Sequence, residues 1–200
     1  MESSEIKLLI NLMSKIPGLG PRSARRAVLS LIQNPQKKLI PLADSMLKTA
    51  KQIKLCNVCG NIDVKNPCSI CLDEKRNNEI ICIVEEIGDL WAIERSGIYK
   101  GKYHILGGVL SAIDGISAED LRINQLIDHV TNIKAQEVIL AMSATVAGQT
   151  TSYYVLDILK KLDLKVTKLA HGMPMGGELD FLDDGTISAA LNLRQPALKE

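Results

Sequence analysis

Four cysteines arranged as two pairs constrain this chain more than any other feature of its sequence. Each pair has the spacing Cys-x2-Cys, and the four residues are Cys56, Cys59, Cys68 and Cys71. Four thiolates in this arrangement can surround one Zn²⁺ tetrahedrally, at about 2.3 Å from each sulfur. All four coordination positions would then be taken by sulfur, so the ion would be structural rather than catalytic. The sequence therefore predicts one structural zinc ion per chain.

Two disulfide bonds are the alternative use of the same cysteines. Disulfides are rare in cytoplasmic proteins, and the first five residues lack the basic start and apolar core of a secretory signal. Residues 55–77 show no useful hydrophobic periodicity, whereas zinc binding supplies about 10–16 kcal/mol to such a segment. Cys82 lies in an apolar stretch and is expected in the core. We therefore favour zinc, and a cytoplasmic protein without a membrane span.

A glycine-rich turn joins the first two predicted helices. Apolar residues at helical spacing predict helices over residues 4–14, 22–33 and 42–54. The turn Pro17-Gly18-Leu19-Gly20 lets the backbone approach a phosphate closely, and the N-terminus of the next helix offers unpaired N–H groups. This pair of helices resembles the helix-hairpin-helix motif of DNA repair proteins.

Three arginines follow this turn on one side of the second predicted helix, opposite its apolar face. Together with the two glycines they form the predicted DNA-binding set: Gly18, Gly20, Arg22, Arg25 and Arg26. Such contacts read phosphates rather than bases, so binding should be independent of sequence and sensitive to salt. The alternative is an ordinary helical hairpin with a solvated arginine face.

The distribution of charge also favours a polyanion partner for the first quarter of the chain. Residues 1–53 contain nine Lys or Arg and three Asp or Glu, a net charge of +6, whereas residues 78–200 contain eleven and seventeen, a net charge of −6. A basic region suits nucleic acid, and an acidic region does not. Aromatic residues make up 3% of the chain, which argues against stacking platforms for single strands.

From residue 78 onward the pattern alternates between strands and helices, which predicts a mostly parallel α/β sheet. The predicted strands cover residues 80–84, 103–106, 138–142 and 165–170, and the predicted helices cover residues 88–96, 118–132 and 150–161, the second of them capped by Ser117. His104 is expected to be buried or at a sheet edge, and His129 to be exposed on a helix. The tail is glycine-rich, then acidic, with a helix expected over residues 186–193.

The first strand of this sheet resembles that of a Toprim domain. It reads Ile81-Cys82-Ile83-Val84-Glu85-Glu86 and is followed by Asp89. Toprim domains serve topoisomerases, primases and some nucleases, in which this glutamate acts with a later acidic cluster that holds Mg²⁺. Here the corresponding segment, Ser143–Gln149, contains no carboxylate. We therefore expect no catalysis, and the chain contains no phosphate-binding loop of the GxxxxGK[ST] kind.

The order of these features resembles the RecR family of recombination proteins over nearly the whole chain. The segments "IPGLGPRSARRA", "ICIVEE", "GKYHILGGVLSAIDGISAEDLRI" and "KVTKLAHGMPMGGELDF" carry the resemblance. The chain departs from the family in "ATVAGQTTS", where relatives usually have Glu-Gly-Glu. In this chain Ala147 and Gln149 replace the two acids. The expected fold is therefore an α+β multi-domain chain: a helix-hairpin-helix domain (1–54), a four-cysteine zinc module (55–77), a Toprim domain (78–170) and a C-terminal tail (171–200).

The resemblance also implies a function and partners. RecR proteins form dimers and ring-like tetramers, bind double-stranded and gapped DNA, and act with RecO, and often RecF. They help RecA to replace single-stranded-DNA-binding protein at gaps. By transfer, Arg22 and Arg26 would face DNA, and the acidic edge formed by Glu85, Glu86 and Asp89 would be a candidate surface for RecO.

Two other functions remain open from the residues alone. A Toprim nuclease or topoisomerase would cleave DNA with Mg²⁺ and would depend on Glu85. A general zinc-containing binder, for example of RNA, would be separated from the first hypothesis by competition between gapped DNA and RNA.

Overall fold

The computed structural model of the chain describes residues 3–170 and 172–194, so that residue 171 and residues 195–200 of the expected tail lie outside the described residues. The chain has two compact units, of which the first ends at Ile53 and the second begins at Lys54.

The first unit is helical. Helix α1 (Ser4–Ser14) begins after Ser3, whose side chain accepts a hydrogen bond from the Ile6 amide. It is followed by α2 (Pro21–Ile32), a π-helical turn (Pro35–Leu39) and α3 (Ile40–Gln52). The three predicted helices are therefore confirmed, each within two residues at either end.

The second unit begins with the cysteine-rich segment, where β1 (Lys54–Leu55) pairs antiparallel with β2 (Ile62–Asp63) ahead of the one-turn helix α4 (Ser69–Leu72). The α/β region follows, and its elements in chain order are β3 (Asn77–Val84), α5 (Ile87–Ser96), β4 (Gly101–Ile105), α6 (Ile123–Ile133), β5 (Glu137–Ala141), α7 (Val146–Leu159) and β6 (Lys165–Lys168). A 3₁₀ turn (Leu179–Phe181) and α8 (Asp184–Asn192) form the described part of the tail.

The sheet has the strand order β4-β3-β5-β6, and every neighbouring pair is parallel. Alternate residues of β3 enter two separate cores, because successive side chains of a strand point to opposite faces. Ile81 and Ile83 pack with apolar residues of α6 and α7, whereas Cys82 and Val84 pack with Leu90 of α5. The parallel α/β sheet and the place of Cys82 in the core are thus confirmed.

The start of α6 corrects the predicted helix over residues 118–132. Asp120 accepts hydrogen bonds from the amide and the hydroxyl of Ser117, both at 2.8 Å, which forms a turn rather than a helix cap. The Arg122 amide then donates to the Leu106 carbonyl at 2.9 Å, at the end of β4. This tertiary bond holds Arg122 outside helical geometry, so the helix begins only at Ile123.

The start of α7 also differs, because it lies four residues before the predicted position 150. The Thr145 side chain accepts a hydrogen bond from the Gly148 amide and caps the helix there.

The expectation that His129 is exposed is wrong. His129 is 5% exposed and lies against His104, which is fully buried, with 3.4 Å between their Nδ1 atoms. His104 Nε2 lies 2.8 Å from the Arg122 carbonyl, which can only accept, so Nε2 carries the proton and Nδ1 is left to accept from His129. Burial lowers the pKa of His104 to about 3 and that of His129 to about 4. The pair is therefore built from two neutral imidazoles.

We expect this pair to reduce stability in mild acid. Because each folded pKa lies below the unfolded value of 6.5, the unfolded chain takes up protons first, and stability falls as the pH drops below 6.5. In His129→Gln, whose amide can still donate to His104, one of the two titrations is removed. Between about pH 7.5 and about pH 5.5 this variant should lose about 1 kcal/mol less unfolding free energy than the unmodified chain. Urea unfolding at each pH measures the difference, and parallel pH profiles would contradict it.

Candidate zinc centre and DNA interface

The sulfur atoms of the four predicted ligands lie together. The Sγ atoms of Cys56, Cys59, Cys68 and Cys71 all lie within 4.8 Å of one another. Cys59 Sγ and Cys68 Sγ are 3.5 Å apart, and Cys56 Sγ and Cys71 Sγ are 3.9 Å apart. A tetrahedron of sulfurs at the usual zinc distance has edges of about 3.8 Å. The four cysteines thus fit one zinc ion, and all are free thiols rather than disulfides.

These sulfurs are presented by two backbone turns. We call residues 56–60 the first zinc knuckle and residues 68–72 the second zinc knuckle. In the first, the Gly60 amide donates to the Cys56 carbonyl at 3.0 Å, and Gly60 has a φ of +81°, which a glycine adopts without strain. In the second, Cys68 precedes the one-turn helix that contains Cys71. Backbone amides also point at sulfur, since Asn61 N donates to Cys59 Sγ and Cys68 N donates to Cys56 Sγ. Such donors favour thiolates, the form that binds zinc.

The close approach of the sulfurs shifts the pKa of three of the four thiols. Hydrogen bonding among the sulfurs, then burial, raises the pKa of Cys71, and the hydrogen bond with Cys68 does the same for Cys59. The same bond lowers the pKa of Cys68, whose thiolate accepts it. A divalent ion at the centre of the cluster would allow all four sulfurs to be thiolates.

The helix-hairpin-helix residues surround a turn at the start of α2. The Leu19 amide donates to the Ile16 carbonyl at 3.0 Å, and Gly18 has a φ of +81°. Gly20 is the N-cap of α2 and offers no side chain to its first amides, and a Cβ added there would meet no atom within 4 Å. The backbone N–H groups at this helix end are therefore open to a phosphate.

The three predicted arginines lie on the exposed side of α2. Arg22, Arg25 and Arg26 are exposed, whereas Ala24 and Val28 on the opposite side are fully buried. The structure thus brings the arginines and the open helix N-terminus together on one face of the same hairpin.

The acidic residues at the end of β3 have partners within the second unit. The Glu85 carboxylate accepts from the Ser143 amide at 2.6 Å and from the Ser143 hydroxyl at 2.9 Å. Glu86 is the N-cap of α5 and forms a capping box with Asp89. The Glu86 amide donates to the Asp89 carboxylate, and the Asp89 amide donates to the Glu86 carboxylate. Glu86 is exposed, and Glu85 and Asp89 are half-buried. Of the predicted acidic edge, Glu86 is therefore the residue most available to a partner.

The segment after β5 approaches Glu85 closely without offering a carboxylate. Gln149 Nε2 donates to the Ser143 carbonyl at 3.2 Å. A Cβ added to Gly148 would lie 2.7 Å from Glu85 Oε1, so glycine is needed for this approach. Among the residues that the structure describes, the cysteine cluster is the one group of three or more Cys, His, Asp or Glu side chains placed to hold a metal.

Sequence reasoning missed the polar side chains that attach the zinc module to the sheet. Lys102 and Arg76 are largely buried, and both donate to backbone carbonyls across this boundary. Arg76 also donates to both carboxylate oxygens of Glu94. A lysine directly before the predicted strand 103–106 is the only sequence signal for Lys102.

Comparisons with known proteins match each region of this architecture. Family models match in chain order: the RecR helix-hairpin-helix at residues 6–50, the RecR four-cysteine zinc finger domain at 53–73, the Toprim domain at 79–170 and the RecR C-terminal region at 172–195. No helix among the described residues is long and apolar enough to cross a membrane. These matches define a Toprim protein with a helix-hairpin-helix and a zinc finger of four cysteines.

Curated relatives narrow this class. The chain is 55% identical to the recombination protein RecR of Parvibaculum lavamentivorans over 192 residues, which cover 96% of both chains. It is 52% identical to that of Caulobacter vibrioides over 96% of both chains, and 50% identical to that of Rhizobium meliloti over 95% of this chain and 94% of the relative. The chain belongs to the recombination protein RecR family, which supports a role in DNA recombination and repair.

Replacing any one of the four zinc ligands by serine should release the metal. In Cys56→Ser, for example, three sulfurs and a weakly binding hydroxyl remain, and residues 55–72 lose the ion that orders them. Elemental analysis of the purified variant should find most of the zinc gone. Cys82→Ala is the matched control, because it removes a buried thiol outside the cluster and should retain one zinc per chain. Full zinc content in Cys56→Ser would refute the site.

Proposed function

We propose that this chain is a non-enzymatic recombination mediator that binds double-stranded and gapped DNA through its helix-hairpin-helix. With RecO, and often RecF, it promotes the loading of RecA onto gaps coated by single-stranded-DNA-binding protein. The observation that carries the proposal is the arginine face of α2 beside an uncapped helix N-terminus, in a chain of this family. In this proposal the domains end at residues 54, 77 and 170, and the first of them binds DNA. Such a protein would act in the cytoplasm, at the nucleoid.

The chemistry of the hairpin supports binding without sequence preference. Backbone N–H groups and a helix dipole favour an anion at the N-terminus of α2. Arg22, Arg25 and Arg26 add exposed cations on the same face, and Gly18 and Gly20 let the backbone approach a phosphate. These groups recognise phosphates, which every DNA sequence presents.

Changing Arg22 and Arg26 together to alanine should weaken DNA binding equally for unrelated sequences. Each lost phosphate contact reduces counterion release, so the slope of log K against log salt should fall by roughly two. Fluorescence anisotropy of labelled DNA duplexes over a range of salt concentrations measures the affinity for each sequence and this slope. The matched control is Lys48→Ala with Lys51→Ala, which removes the same charge from exposed positions of α3. A slope unchanged in the arginine variant, or reduced as much in the control, would count against this face.

The acidic end of the sheet is proposed as a partner surface rather than a catalytic site. A phosphodiester reaction with Mg²⁺ needs several carboxylate oxygens around the ion. Glu85 is bound to Ser143, and no carboxylate follows in Ser143–Gln149. The Glu85, Glu86 and Asp89 edge therefore suits contact with a basic surface of RecO better than it suits catalysis.

Exposed apolar side chains support self-association of the helical unit. Among its described residues only Ala24 and Val28 are buried apolar side chains. Large apolar side chains stand exposed on all three of its helices, at Leu8, Leu12, Leu29, Met46 and Leu47. Exposed apolar surface of this extent marks an interaction site, and a second copy of the chain, in a dimer or a ring-like tetramer, would cover it.

Sedimentation velocity of the purified chain tests the proposal as a whole. The chain alone should sediment as a dimer or a tetramer, and its mass should increase when RecO and gapped DNA are added together. An equal mass of competing RNA should not displace the DNA, which separates a mediator from a general nucleic-acid binder. A monomer that binds neither RecO nor gapped DNA at low salt would overturn the proposal.

A further inference from the structure

Lys102 is a buried lysine in the edge strand β4 of the sheet. It is 5% exposed and belongs to β4, whose five residues are all buried. Lysine is among the residues least often fully buried, because its ammonium loses hydration unless it gains other partners. Here the partners are three backbone carbonyls: Nζ donates to Ile70 O at 3.2 Å, to Cys71 O at 2.9 Å and to Asp73 O at 2.9 Å. Three acceptors match the three N–H groups of an ammonium.

These three carbonyls belong to the second zinc knuckle and the residue just after it. Helix α4 is a single turn of four residues, so its last carbonyls have no partners within the helix. A backbone bond from the Leu72 amide to the Cys68 carbonyl, at 3.0 Å, closes the turn. Lys102 therefore caps this turn from a strand about thirty residues later in the chain. The cap fixes the turn that places the sulfurs of Cys68 and Cys71.

The first zinc knuckle is attached to the same strand. The Ile105 amide donates to the Cys59 carbonyl at 2.8 Å. β4 is the first strand in the sheet order, with β3 as its one neighbouring strand. β4 therefore holds the first knuckle through the Ile105 amide on its free side and the second knuckle through the Lys102 side chain, and a zinc ion would join the two knuckles to each other. The ion, the two knuckles and β4 thus form one closed set of contacts.

We propose that Lys102 is a positioning residue for the zinc ion, and that it couples metal binding to the order of β4. The ammonium holds the second knuckle in the geometry that the metal needs, so that less of the binding free energy is used to order the turn. Coupling of this kind is reciprocal. If an ordered β4 raises the affinity for zinc, then zinc binding must also favour the ordered form of β4.

The first test compares zinc release from Lys102→Met and Lys100→Met in the full-length chain. Both remove one ammonium with little change in side-chain length, but Lys100 is exposed. A chromophoric chelator in excess reports the release rate. Lys102→Met should release zinc about tenfold to a hundredfold faster, as loss of an outer-shell partner does. Lys100→Met should stay within about twofold of the unmodified chain. Release from a folded Lys102→Met at the unmodified rate would overturn the proposal.

A comparison of stabilities separates positioning of the metal from general support of the fold. Thermal unfolding of Lys102→Met and of the unmodified chain is measured both with excess zinc and after its removal. The proposal requires the substitution to lower the Tm more in the zinc-bound protein than in the stripped protein. Equal losses in the two forms would show that Lys102 supports the sheet without acting on the metal.

The unmodified chain gives a test that does not depend on a variant that folds. Hydrogen exchange is measured with zinc bound and with zinc removed. The proposal requires amides of residues 101–105 in β4 to lose protection together with residues 68–72. Loss confined to residues 68–72, with β4 unchanged, would overturn the coupling.

Discussion

The arrangement of the second unit depends on four sulfur atoms placed to surround one zinc ion. The buried side chains of the zinc module include Cys56, Cys59 and Cys68, and these thiols form a small core cluster of their own. Such a segment buries too little apolar surface to fold alone, so metal binding must supply its stability. Once ordered, its first knuckle accepts a hydrogen bond from the Ile105 amide on the free side of β4. This bond pairs a backbone group that an edge strand would otherwise expose to another chain. The zinc module is therefore part of the sheet's structure rather than an independent attachment.

The parallel sheet places the acidic end of β3 against a segment that contains no carboxylate. The carboxyl ends of β3 and β5 meet at one edge, where Glu85 and the segment after β5 come together. In a magnesium site, further carboxylates would approach from that segment. Here the amide and the hydroxyl of Ser143 both donate to the Glu85 carboxylate, and the Gln149 side chain donates to the Ser143 carbonyl. Neutral donors thus hold the Glu85 carboxylate at this edge, and the segment after β5 adds no carboxylate to it.

Periodicity and spacing predicted the helices, the parallel strands and the zinc ligands, because each of these depends on residues close together in the sequence. The errors arise where distant residues decide the outcome. The start of α6 is set by a bond from Arg122 to the end of β4, and His129 is buried because His104 and α6 meet across the fold. Lys102 and Ser143 find their partners about thirty and about sixty residues away, respectively. No pattern in a single sequence reports such pairings, and they can be read only after the strand order is known.

In the helical unit, α2 carries an arginine surface, whereas α1 and α3 carry most of the exposed apolar surface. On α2 the arginines lie opposite Ala24 and Val28, so its polar face is exposed while its apolar face closes the small core. The large exposed apolar residues stand mostly on α1 and α3, including Leu8, Leu12, Met46 and Leu47. Under the proposed function, a phosphate backbone would bind the first surface and a second copy of the chain would bind the second, because one interaction is electrostatic and the other requires apolar area. DNA binding should therefore weaken with salt while self-association does not, even though both belong to the same helical unit.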